Sequence, residues 1–517
     1  MAKKIRYSGV LLHPTSLPNI HGIGDLGEAG YKFVDLLADA AVGLWQILPL
    51  GPVGYGSSPY AALSAFGGNE LLISLSLLSD QGYLPLSDIL IHPNFKGGRV
   101  DYGRVEEYKM PLLFKAAKVF LAQGERADFN IFCEEKGEWL DDYALYRVLS
   151  SYYNDTRWYS VWDPKIRERD VATLAKWHQE KRDEIEEWKV LQFFFYSQWR
   201  ALKEYANAKG IAIVGDLPIF VSGDSVDVWS NRHFMKIGKD SLPTGIAGVP
   251  PDAFSPTGQL WGNPVYDWEV LREENYSWWI KRIERELELT DMLRIDHFRG
   301  FEAYWEVPYG DATAEGGKWI KAPGDHFFKT LRNHFGHLPF IAEDLGVITP
   351  EVELLRDSNN LPGMKILQFA FNPLGEGRLE VENPYLTHNY VENCAAYTGT
   401  HDNDTTRGWY AKLPEETRDI VRRYLSCSDE SAPWHMVRSV MASVARYAII
   451  PLQDVLNLSS EARMNTPGTC GEENWSWQLT EEQLNREITT TLINMTAPFG
   501  RDGGYKDLLL SDGVEVL

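Results

Sequence analysis

Cysteine is scarce in this chain. Cys133, Cys394, Cys427 and Cys470 lie far apart with no CxxC pair. That excludes a disulfide framework and points to reduced thiols in a cytoplasmic setting, or in a plastid if a transit peptide has been removed. Long apolar runs are missing too: nothing approaches a membrane span, and the two lysines of MAKKIRYSGV are not followed by an apolar segment of signal-peptide length. Positive charge is short, with 51 Lys and Arg against 73 Asp and Glu and a formal charge of -22. Nucleic acid and anionic membranes both demand a basic face, so neither is expected as a partner, and a neutral substrate suits the chain better than a phosphorylated one.

Apolar and aromatic residues, by contrast, are plentiful. With 44% apolar and 24% charged residues over 517 positions, the composition is that of an ordinary globular protein with ample core. The length allows about three average domains or one large barrel of alternating strands and helices. The 18 tryptophans and 25 tyrosines can fill that core or line a site for flat sugar rings.

Short apolar runs alternate with helical text. YSGVLL (7–12) ends at His13, and Ala29, Phe33, Val34, Leu37 and Ala40 then recur at three- and four-residue steps. LWQILPL (44–50) follows and gives way to the loop GPVGYGSSPYAALSAFGGN. Strand, helix, strand in that order implies parallel strands with a crossover. Residues 70–210 read as a mainly helical insertion whose last helix returns to the barrel, and IAIVGDLPIF (211–220) resumes the strand pattern. The Gly- and Pro-rich stretch 244–268 is too long for a tight turn and reads as a lid-like loop. Further strand-like runs, MLRI (292–295), FIAEDLG (340–346), MKILQFAF (364–371), AAYTGTHD (395–402) and YAIIPLQDVL (447–456), bring the count to about eight. A closed barrel requires such an alternation, so the expectation is a single α/β unit over 1–517: a (β/α)8 TIM-type barrel with a large mainly helical insertion and long βα loops. Its weakest link is 372–393, where no helical pattern shows.

In such a barrel the C-terminal strand ends gather around one mouth. Acids stand at four of these ends: Asp216 after IAIVG, Asp296 after LRI, Glu343 with Asp344 after FIA, and Asp402 after TGTH, with His13, His297 and His401 for company. Taken singly, each acid is explained as well by a solvated or hydrogen-bonded loop position. Within MLRIDHFRGF, however, a period of two puts Arg294 and Asp296 on one strand face. There the guanidinium favours an ionised carboxylate, a candidate nucleophile. A metal site is disfavoured because the histidines show neither HxH nor HExxH spacing. Glycosidic chemistry fits better: it needs one ionised carboxylate to attack and one protonated carboxyl to serve the leaving oxygen, and Asp296 and Glu343 fill those roles.

Together GVLLHPTSLP, YGSSPYAALSAFGGN, GDLPIFV, LWGNPVYDW, RIDHFRGF, AEDLG, GTHDNDT and RMNTPGT resemble the amylomaltase family, the 4-α-glucanotransferases or disproportionating enzymes of the α-amylase superfamily, over nearly the whole chain. The resemblance implies a retaining transglycosylase, without cofactor or metal, that hands a segment of an α-1,4-glucan (maltooligosaccharide, amylose, starch or glycogen) to the 4-hydroxyl of another. By it Asp296 matches the nucleophile, Glu343 the acid/base, and Asp402 the third acid that steadies the distorted sugar. Arg294 would keep Asp296 charged, and His297 and His401 would contact the substrate. Tyr60 and Asp216 would line the donor side, with Asn465 and Pro467 near the mouth, while Phe254, Trp261 and Tyr266 of the lid-like stretch would wrap the glucan. Retention by double displacement expects the two carboxyls about 5 to 5.5 Å apart. A monomer or small homo-oligomer is expected. Two other readings stay open: an α-1,4-glucan hydrolase, and a glucan-binding protein without activity, which would be marked by a missing strand-end acid.

Overall fold

The computed structural model describes residues 5–124, 126–251, 255–371 and 378–511. The first strands in chain order are β1 Tyr7–Leu11, β2 Leu44–Gln46, β3 Ala212–Leu217, β4 Gly245–Val249, β5 Gln259–Pro264 and β6 Met292–Ile295. They are followed by β7 Ala303–Pro308, β8 Lys318–Lys321, β9 Phe340–Ala342, β10 Gly363–Ile366, β11 Cys394–Tyr397 and β12 Tyr447–Pro451. β1, β2, β3, β6, β9, β10, β11 and β12 close into a barrel in that cyclic order, each parallel to its neighbours. The eight-stranded α/β barrel expected from the alternation is the one the chain forms.

Parallel strands covered on both faces carry apolar residues without alternation. Accordingly β1, β2, β3, β6, β9, β11 and β12 are buried at every position. The floor of the barrel is tied by the fully buried Arg501. Its guanidinium donates to the carbonyls of Met441 (2.6 Å), Ala445 (2.9 Å), Ser443 (2.9 Å) and Tyr7 (3.2 Å), the last at the start of β1.

The long connection from β2 to β3 is mainly helical, its longest members being Tyr102–Ala122, Ala127–Tyr153 and Arg182–Ala208. In the last of these, Trp199 donates to Leu289 O at 2.8 Å and meets Trp45 of β2 at a centroid distance of 6.5 Å. That helix therefore acts as the crossover of the β2–β3 unit. Between β10 and β11 the described residues hold only 3-10 turns, Leu367–Phe371 and Thr387–Asn389, which accounts for the missing helical pattern there. Among the described residues no helix is long and apolar enough to cross a membrane.

The stretch 244–268 departs from expectation. Much of it is not an open loop but the antiparallel pair β4 and β5, part of a four-stranded sheet in the order β5-β4-β7-β8. The glycines that make the text read as loop are demanded by this pairing: a Cβ on Gly248 would lie 2.4 Å from the Gln259 carbonyl oxygen.

Candidate active site

The site is an extension of the barrel ladder. Asp216 is in register with Arg294 across β3 and β6, and Ile295 with Ala342 across β6 and β9. Pairing continues one residue past the strand ends, where Asp296 N–H donates to Leu217 O and Glu343 N–H to Ile295 O, both at 3.0 Å. Asp296 and Glu343 thus follow directly on adjacent strands, whose backbones lie about 4.8 Å apart. Both side chains are partly exposed at the bottom of the mouth, within reach of a substrate.

Glu343 is fixed by two backbone donors, His297 N–H at 2.6 Å to Oε2 and Leu345 N–H at 3.0 Å to Oε1. His297 presents its N–H from a left-handed backbone (φ 48°), a conformation that costs a side-chain-bearing residue about 1–3 kcal/mol and persists only where the surroundings enforce it. Here the turn is enforced by Phe298 N–H, which donates to Glu343 O at 3.0 Å. Burial pushes the Glu343 carboxyl up to about 8; Arg294 and the two backbone donors oppose the rise, and the charge on Asp296 adds to it. Burial raises Asp296 as well, to about 6, against the pull of Arg294 and with help from Asp216 and Asp402. Burial and the neighbouring charge of Asp296 thus favour the protonated form of Glu343, while Arg294 favours the ionised form of Asp296.

Arg294 is shared. Its Nη1 lies 2.7 and 2.8 Å from the two oxygens of Asp216 and 3.0 Å from Asp296 Oδ1. The expected service to Asp296 is only part of its work, since Asp216 is its nearer partner. Asp216 itself is 1% exposed, with its Oδ2 also accepting from the Tyr60 hydroxyl at 2.7 Å. The expectation that it lines the donor side is corrected: it is a buried support beneath Tyr60 and Arg294.

Asp402 stands at the next corner of the mouth. Its Oδ1 accepts from Asn465 Nδ2 at 2.6 Å, and its Oδ2 lies 3.4 Å from His401 Nε2. Arg463 donates to the carbonyls of both Asp402 and Asn465 at 2.6 Å, binding the two loops together. The Tyr60 ring stacks on His401 at 5.1 Å, and Trp475 completes an aromatic wall 5.6 and 5.8 Å from them. Burial lowers all three histidines, His13 and His297 to about 3, which leaves those two neutral at physiological pH. His13 is buried, with its Nδ1 unpartnered.

Of the residues expected to wrap a glucan, Trp261 is 37% exposed and meets His297 edge-on at 4.8 Å, beside the turn that holds Glu343. Tyr266 does not belong there: it is fully buried, its hydroxyl donating to Ile219 O at 2.8 Å and its ring packed on Phe220 and Trp279. Phe254 lies outside the described residues. Pro467 is exposed on the loop beyond Asn465. Asp344, next to Glu343, turns the other way to Arg356 and to Met364 N–H (2.7 Å). Sequence reasoning named neither Arg463 nor Trp475. Arg463 opens the motif RMNTPGT and was accessible there; nothing in the text around Trp475 distinguishes it from the other tryptophans. Among the described residues, no group of three His, Cys, Asp or Glu is disposed to hold a metal ion.

A closed (β/α)8 barrel whose mouth brings Asp296 and Glu343 to adjacent strand ends, under a wall of aromatic rings, has the build of an enzyme that works on glycosidic bonds. The chain belongs to the 4-alpha-glucanotransferase family, whose model matches residues 12–484. A 4-alpha-glucanotransferase of Synechocystis sp. is 48% identical over 503 residues, which is 96% of this chain and 98% of that protein. Another from Thermus thermophilus is 47% identical, over 93% of this chain and 96% of its own. The solved structure of an amylomaltase from Streptococcus agalactiae, in complex with acarbose, shares 40% of its residues with this chain. It superposes with a TM-score of 0.92 over 96% of this chain and 99% of its own.

Proposed function

We propose that this family member disproportionates α-1,4-glucans by double displacement, with Asp296 as nucleophile, Glu343 as acid and then base, and Asp402 as stabiliser of the distorted sugar. One observation carries the assignment: Asp296 and Glu343 stand at the ends of adjacent strands in one mouth, Asp296 beside the Arg294 guanidinium (3.0 Å) and Glu343 in surroundings that raise its carboxyl. The adjacency of their strands fits the short carboxyl spacing of retaining enzymes better than the wider gap that lets an inverting enzyme seat a water. The streptococcal relative was solved in complex with acarbose, which supports a ligand of that kind for this chain.

In the first step an Asp296 oxygen bonds to the anomeric carbon as the glycosidic bond breaks, and the departing oxygen takes the proton of Glu343. In the second, the 4-hydroxyl of an acceptor glucan gives its proton to Glu343 while its oxygen displaces Asp296, and two inversions leave the configuration unchanged. Asp402, held by Asn465 with His401 alongside, hydrogen-bonds the ring hydroxyls next to the reacting carbon. Incubation with maltotriose tests the reading: glucose and longer oligomers should appear at a nearly constant number of reducing ends. A steady rise in reducing ends overturns transfer in favour of hydrolysis. The four cysteines, free of disulfides, support a reducing compartment, either cytoplasm or plastid stroma.

A further inference from the structure

We infer that Asp454, just beyond β12, is a positioning residue for Asp402, acting as a clasp that closes both ends of the loop 398–406; the inference rests on the reading of Asp402 as the third acid. Asp454 Oδ2 accepts from Thr398 Oγ1 and from Thr406 Oγ1, each at 2.6 Å, and Oδ1 accepts from Thr406 N–H at 2.7 Å. Thr398 is the residue after β11, and Thr406 opens the helix Thr406–Lys412. Between them the chain carries His401 and Asp402 out to the mouth. One carboxylate just past the eighth barrel strand thus pins the start and the finish of the loop that follows the seventh.

Among the described residues no other side chain is hydrogen-bonded to both Thr398 and Thr406. Asn403 Oδ1 caps Thr400 N–H at 2.8 Å and shapes the loop internally, and Gln368 adds a weaker bridge, its N–H donating to Thr398 O (3.2 Å) and its Nε2 to Asp404 O (3.0 Å). Beneath it lies a cavity lined by His13, Thr400, His401, Asn403 and Arg463, with Asp454 in its wall. The stacking of His401 on Tyr60 and Trp475 steadies the middle of the loop, and the hydrogen-bonded anchors fix its two ends. All three members of the clasp are nearly out of contact with solvent: Thr398 is 0%, Thr406 1% and Asp454 5% exposed. Such charge-assisted bonds are short and directional, suited to holding a loop in register.

The test compares kcat and KM for maltotriose, with thermal unfolding as a check on folding, in Asp454→Ala, Asp454→Asn and Thr406→Val, each made also in an Asp402→Asn background. Asp454→Ala should lower kcat by about 10²-fold, the scale of a small misplacement of a catalytic group, with little change in KM. Asp454→Asn should restore most of it, because Oδ1 still accepts from Thr406 N–H and the amide can donate to both hydroxyls, which rotate to accept. Thr406→Val, which deletes one bond and keeps the backbone donor, should fall between; it also carries the test if Asp454→Ala does not fold. In the Asp402→Asn background none of the three should cost anything further, since only the service to Asp402 is lost. A folded Asp454→Ala with wild-type kcat, or losses that simply multiply with Asp402→Asn, overturns the clasp. Normal turnover by Asp402→Asn alone would instead remove the third acid and the clasp with it, so the two failures are told apart.

Discussion

Removing the guanidinium at the mouth is the most informative single perturbation. Arg294→Met leaves Asp216 and Asp296, now 2.7 and 3.0 Å from the same nitrogen, without a counter-charge. An opposite charge this close lowers a carboxyl pKa by roughly 1–3, so its loss should lift Asp296 from about 6 to neutrality or above. Asp296 must be ionised to attack, and activity is lost as pH falls through its pKa. The acid limb of kcat/KM should therefore move up by roughly 1–3 pH units. At pH 7 a carboxyl titrating near 6 is about nine-tenths ionised, and one raised by 2 is about one-tenth ionised, so titration alone costs close to tenfold, or about 1.4 kcal/mol. The basic limb should move the same way, because Arg294 also pulls Glu343 down. The assay is a pH profile of maltotriose disproportionation, with unfolding curves to verify the fold. Arg294→Lys is the control that keeps the charge but loses the planar fork. An Arg294→Met enzyme that is folded and retains the wild-type acid limb would refute the reasoning.

Other outcomes follow from the same geometry. The wild-type profile should be bell-shaped, falling below about 6 as Asp296 takes up a proton and above about 8 as Glu343 loses one; a flat profile across that range would contradict the split between the two carboxyls. Glu343→Gln should slow maltotriose transfer by about 10²–10⁴-fold yet still accept glucosyl units from a glycosyl fluoride, whose leaving group needs no proton. Tyr266→Phe should cost about 1 kcal/mol of stability, by denaturant titration, and leave KM unchanged, since the hydroxyl serves Ile219 in the core. Arg501→Met should cost at least about 3 kcal/mol by the same titration, because the Met441, Ala445, Ser443 and Tyr7 carbonyls lose a buried donor.

The barrel strands were legible because parallel strands buried on both faces read as bare apolar runs, and the acids were legible because they interrupt those runs at the same end. The sheet of β4, β5, β7 and β8 was not, since Gly248 and its companions satisfy close backbone pairing at the expense of any alternation. Tyr266 has the letters of a sugar-stacking residue; only its packing on Phe220 and Trp279 reveals that it is core. Period two placed Arg294 on the face of Asp296 but could not show that Asp216, 78 positions earlier, competes for the same nitrogen. Nor does a sequence carry burial, which here opposes the arginine and raises Asp296. The clasp of Thr398, Thr406 and Asp454 joins residues 48 and 56 positions apart and leaves no local pattern.

Trapping the glycosyl-enzyme tests the central claim most directly. Glu343→Gln, incubated with a maltosyl fluoride, should accumulate the covalent species, because fluoride leaves unaided while the base needed for the second step is gone. Peptide mass mapping after acid quench should then find one maltosyl group on the side chain of Asp296. A maltosyl group on any other residue, or turnover of the fluoride by an enzyme that never becomes labelled, would contradict the account.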